Sequence, residues 1–131
     1  MYVRFITSFI NENGDVETGI FNALAFIRDN SLTKDDDVKS LTALMKWFNR
    51  YLAKPDRFSN SGNKNPAAIS LSWFKDTAKT DIQKIFELKE ILLKYEITLE
   101  MVTSKNPGYI VYEDKHQISA IPFKSDRKKV L

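Results

Sequence analysis

The sequence predicts an α+β fold of two layers: an N-terminal strand, three to four helices, then a C-terminal three-stranded antiparallel meander. Three observations carry that prediction. Apolar residues alternate with period two over residues 2–9, the signature of a half-buried strand. Apolar residues then recur at helical spacing through the middle of the chain. Finally, β-prone runs at 97–103, 109–112 and 117–123 are separated by turn residues.

The elements follow in order. Val3, Phe5, Thr7 and Phe9 alternate with Tyr2, Arg4, Ile6 and Ser8, so the first set faces a core. Asn11 to Asp15 is a polar loop. Ile20, Ala23, Leu24 and Ile27 give a short helix over 19–29, with Arg28 at the edge of its stripe. Thr33 suits an N-cap for a second helix. Asp35, Asp36 and Asp37 fall in its first turn, where the helix dipole favours anions. Its stripe is Val38, Leu41, Leu44, Met45, Phe48 and Leu52, and Pro55 ends it. Residues 57–65 have the small polar composition of a mobile loop.

Asn65-Pro66 suits a helix start, leading to a helix through Ile69, Trp73, Phe74 and Ala78. Thr80-Asp81-Ile82-Gln83 fits a capping box for a helix reaching Tyr95, so residues 66–95 form one bent helix or two. Neighbouring rings on a helix differ by about 100°, so a narrow stripe cannot hide both Trp73 and Phe74. Ile97 to Thr103 is a strand. With Tyr112 paired to Gln117, the last hairpin places Tyr109, Val111, Ile118 and Ala120 on its core face. Ile110, Tyr112, Gln117 and Ser119 take the other face. The displayed face of the sheet then carries Tyr2, Arg4, Glu100, Tyr112, Gln117 and Ser119.

The chain has 131 residues, one domain's worth, read as a domain over 1–123 with a basic tail over 124–131. With no cysteine, disulfide frameworks and thiol catalysis are excluded. No apolar run reaches the ~20 residues that span a bilayer, and Met1-Tyr2-Val3-Arg4 lacks the features of a signal peptide. A cytoplasmic location is expected. The net charge of +3 is mild. Nucleic-acid binding through Lys124, Arg127, Lys128 and Lys129 would be non-specific and salt-sensitive.

The blocks Tyr2 to Phe5, Trp47-Phe48-Asn49, Pro55 to Phe58, Ser72 to Ala78 and Pro107 to Gln117 together resemble a family of small uncharacterised bacterial proteins. The resemblance implies no activity to carry over. One departure is Ile121, where the family pattern has an acidic residue before Pro122.

Candidate chemistry concentrates in two places. Arginines number only five against fifteen lysines, and Arg4, Arg28 and Arg57 have the residue type suited to phosphate or carboxylate. The hairpin tip adds Tyr112, Glu113, Asp114, His116 and Gln117. His116 is the only histidine, so a zinc site lacks ligands, and neither metal nor cofactor is expected. No Walker loop, dinucleotide fingerprint or nucleophile elbow occurs. The leading expectation is therefore a non-enzymatic binding module for a partner protein or a small anionic, nucleotide-like ligand. The alternative is a small enzyme acting on a phosphorylated or nucleotide-like substrate, with Glu113 and His116 of the hairpin tip as acid and base.

Overall fold

A computed structural model of the chain describes residues 1–55 and 69–123. The fold is α+β. Within the described residues it contains a five-stranded antiparallel sheet, a two-stranded sheet and three complete helices. The strands are β1 (Tyr2–Ile6), β2 (Ser8–Ile10), β3 (Val16–Thr18), β4 (Leu71–Lys75), β5 (Glu100–Ser104), β6 (Tyr109–Glu113) and β7 (Gln117–Ile121). The helices are α1 (Ile20–Arg28), α2 (Asp35–Tyr51) and α3 (Lys79–Leu93). The described residues divide into two compact units, one of residues 1–4, 53–55, 69–82 and 101–123, the other of residues 5–52 and 83–100.

The first unit is built on the large sheet, whose strand order is β5-β1-β4-β7-β6. The predicted meander is therefore only partly formed. β6 and β7 make the expected hairpin, but β5 lies beside β1 at the far edge. The strand between them is β4, from a segment the sequence assigned to a helix. Leu71–Lys75 is extended because Trp73 and Phe74 both need burial. Alternation sends one ring to each face of a sheet, and both are buried. The helix that follows begins at Lys79, one residue ahead of the capping-box Thr80.

Register then fixes the faces. Tyr2 pairs with Lys75, Val3 with Phe74, Trp73 with Ile118 and Phe74 with Gln117. One face gathers Trp73, Ile118 and Ala120, with Tyr2, Leu71 and Val102 packed against them. Removing an aromatic from such a cluster costs about 3–5 kcal/mol. The other face carries Val3, Phe74, Gln117 and Ser119. Arg4, two residues after Tyr2, shares the Trp73 face. Tyr112 pairs with Ser119, not Gln117, and so lies on the opposite face from Arg4. The single displayed face expected for Tyr2, Arg4, Tyr112, Gln117 and Ser119 is thus split in two.

A register shift between Ile110 and Tyr112 also corrects the hairpin faces. The extra residue, Val111, is a β-bulge, which reverses the alternation upstream of it. Ile110 consequently pairs with Ala120 and Tyr109 with Ile121, and Tyr109 is exposed. Gly108 allows the strand to begin there. Its φ is 142°, and an added Cβ would stand 2.0 Å from the Ile121 carbonyl oxygen.

The second unit contains α1, α2, most of α3 and the β2–β3 hairpin. The strand predicted over 2–9 breaks at Thr7. Ser8–Ile10 pairs with Val16–Thr18 around the polar Asn11–Asp15 turn. The turn residues were legible, but the short partner strand was not. Ala23, Leu24 and Ile27 of α1, Leu41, Leu44 and Phe48 of α2, and Ile85, Leu88 and Leu92 of α3 are buried, as their helical spacing requires. Thr33 is not the N-cap of α2; its hydroxyl donates to the Ile27 carbonyl at 2.6 Å, and Lys34 takes the cap position. α2 ends at Tyr51, ahead of Pro55. No helix among the described residues is long and apolar enough to cross a membrane.

Candidate functional site

The hairpin tip is held from within. Asp114 N–H donates to the Gln117 carbonyl at 2.9 Å, closing a two-residue loop of Lys115 and His116. The Asp114 carboxylate accepts from the backbone N–H of His116 and Gln117 through Oδ1, and from Tyr112 Oη and Gln117 Nε2 through Oδ2. Burial alone would raise its pKa, but these four hydrogen bonds outweigh burial and hold it below the usual carboxylate range. Gln117 Nε2 also donates to the Ala53 carbonyl. Tyr112, Asp114 and Gln117, expected to contact a ligand, thus engage one another. Glu113 is likewise engaged, 2.5 Å from Lys75 Nζ.

His116 differs. Its Nδ1 stands 3.5 Å from Asp81 Oδ2. The Asp81 side chain is 5% exposed and the His116 side chain 40% exposed. Burial pushes the Asp81 carboxyl up, His116 opposes the rise, and Asp114 adds to it. Sequence reasoning read Asp81 only as part of a capping box. A signal was present: Asp81, Ile85, Leu88 and Leu92 fall on one helical stripe, so a carboxylate sits at a buried position. The acid facing His116 is therefore Asp81 rather than Glu113.

Arg4 carries the second distinctive feature. Its Nη1 donates to the Ser72 carbonyl at 2.8 Å. Its Nε is buried with no hydrogen-bond partner, and among the described residues it has no carboxylate counter-ion. Burial lowers the guanidinium's pKa, yet arginine stays charged at neutral pH. Trp73, on the same face, repeats the pattern. It is 2% exposed, and its indole Nε1–H is buried without an acceptor. Extending the register from Val3 and Phe74 by one residue sets Arg4 opposite Trp73. Two buried donors on adjacent strands therefore lack acceptors, in a region where nearly all buried polar groups find one.

The remaining candidates are resolved differently. Arg28, at the end of α1, pairs with its neighbour Asp29 through Nε at 2.9 Å and Nη2 at 3.2 Å. Arg57, the 57–65 loop and the basic tail lie outside the described residues. In the second unit, α2 and α3 border a groove of about 600 Å³ lined by Leu44, Trp47 and Ile91 among others. Both of its lysines are engaged, Lys84 over the Trp47 ring and beside Glu87, Lys94 with Asp37. It therefore lacks an unmatched cation. Among the described residues no group of three or more acidic or histidine side chains is placed to hold a metal.

No protein-family model, curated protein or solved structure matches this chain. The geometry alone bears on function.

Proposed function

We propose that the protein is a non-enzymatic binding module for a small anionic ligand, centred on Arg4 with the Trp73 indole beside it. The observation that carries this reading is the buried, unpartnered Nε of a guanidinium that has no counter-ion among the described residues. A part-buried charge without a counter-ion is unfavourable, and an anion offsets that penalty. Tyr2, Leu71 and Val102, packed against the Trp73 cluster, strengthen the attraction by lowering the local dielectric on that face.

Thermal melting of the full chain with butyrate, ethyl phosphate, AMP or citrate, each at matched ionic strength, tests the reading. At least one anion should raise the Tm of the wild type, because a ligand that binds only the native state stabilises it. The response should vanish in Arg4→Met. No response to any of these anions, or an equal response in the variant, overturns it.

A second reading is favoured by one observation, the buried Asp81 carboxyl facing a half-exposed histidine. In it, Asp81 orients His116 for acid–base chemistry on a phosphorylated substrate. Hydrolysis of p-nitrophenyl phosphate that is lost in both His116→Ala and Asp81→Asn would support it. Absence of turnover in the wild type would remove it.

A further inference from the structure

Resting on the anion-binding reading of Arg4, we infer that the ligand is an apolar monocarboxylate rather than a phosphate ester. The first argument is charge. Arg4 contributes a single positive charge. Lys75, two residues from Trp73 on the same strand, is already matched by Glu113. A carboxylate carries one negative charge and cancels the guanidinium. A phosphate monoester carries about 1.5 to 2 at neutral pH, leaving an excess beside Trp73, Ile118 and Ala120, where desolvated charge is costly.

The second argument is the donor set. Nη1 is committed to the Ser72 carbonyl, and Nε, on the other edge of the fork, is buried with no hydrogen-bond partner. That edge, Nε with Nη2, presents two parallel N–H groups matched to the two oxygens of a carboxylate. The Trp73 indole supplies one more donor. Three donors suit a planar acid but fall short of the three oxygens and wider lone-pair set of a phosphate. The third argument is the surroundings. Tyr2, Leu71 and Val102 pack against the cluster of Trp73, Ile118 and Ala120, on the sheet face that Arg4 shares, so the body behind the carboxylate is apolar.

The donors themselves report the outcome. In ¹⁵N-labelled full-length protein, the Trp73 indole N–H and the Arg4 Nε–H give separate cross-peaks. The two indoles are told apart with Trp47→Phe, which leaves the Trp73 cluster intact. Titration with sodium butyrate should move both reporters saturably. Ethyl phosphate at equal ionic strength should require about tenfold more ligand, a difference near 1.4 kcal/mol. Trp73→Phe should weaken butyrate about tenfold, the loss of one hydrogen bond to a charged group. If that variant does not fold, the wild-type titrations decide alone. Movement with ethyl phosphate but not butyrate overturns the carboxylate assignment and leaves the anion-binding reading standing. Movement with neither overturns the carboxylate assignment, and the anion-binding reading falls with it if AMP and citrate leave both reporters unmoved as well. Sodium chloride reproducing the butyrate shifts overturns the carboxylate assignment as well.

Discussion

Arg4→Met separates a binding arginine from a structural one by the sign of its effect on stability. The substitution keeps an unbranched stem and removes the guanidinium. Lost is one charged hydrogen bond, Nη1 to the Ser72 carbonyl, at about 1.5–3 kcal/mol. Removed with it are the unmade Nε hydrogen bond, a penalty of about 1–3 kcal/mol, and the desolvation of a part-buried ion, about 1–2 kcal/mol more once solvent screening is allowed for. The balance favours methionine by about 1–2 kcal/mol. For a chain of this size that raises Tm by roughly 3–8 °C. Differential scanning calorimetry in a buffer free of carboxylate and phosphate reads it. A Tm below that of the wild type would refute the reasoning, because it would mean that Arg4 is already compensated and serves the fold.

Gly108→Ala should destabilise the β6–β7 hairpin by at least ~2 kcal/mol, since its Cβ would collide with the Ile121 carbonyl; a urea midpoint within error of wild type would contradict this. Asp81→Asn should gain Tm relative to wild type as pH rises from about 4 to 7, because a raised folded pKa gives stability that is present below the unfolded value and lost as pH rises through the folded one. Asp37→Asn should show the opposite trend. The Tyr95 hydroxyl and Lys94 hold Asp37 low, so its stabilisation is present above about pH 4 and disappears as pH falls through the folded value; parallel Tm–pH curves for the two variants would refute both. Glu113→Gln should change stability by less than about 1 kcal/mol, the usual limit for an exposed pair, as chemical denaturation would show.

The helices were legible where one stripe of apolar residues sufficed. Ala23, Leu24 and Ile27 in α1, and Ile85, Leu88 and Leu92 in α3, are buried as their spacing demands. β4 was not legible, because Leu71 to Lys75 offers two adjacent aromatics in place of alternation. A strand buried on both faces lacks a polar face, and periodicity alone cannot separate it from a helix. The bulge at Val111 was invisible for a related reason: one inserted residue leaves the composition unchanged and alters only register. For the candidate site, Arg4 and the hairpin tip were marked by residue type. Their separation onto different faces was not, since it depends on which strand lies between β1 and β7. Asp81 was missed because a helix-start role explained it adequately.

The strand order also constrains how the molecule can be made. β1 precedes every other described element in the chain, yet its neighbours in the sheet are β4 and β5, which begin at residues 71 and 100. At about 5–20 residues per second, the ribosome leaves Val3 without its partner Phe74 for roughly several seconds. β6 and β7 are adjacent in sequence and close locally, whereas β1 can only be inserted between strands that come later. Sheet completion is therefore a long-range, late event, of the kind that slows folding. Until it occurs, the nascent chain exposes the apolar residues of β1, the segment for which a chaperone at the tunnel exit would compete.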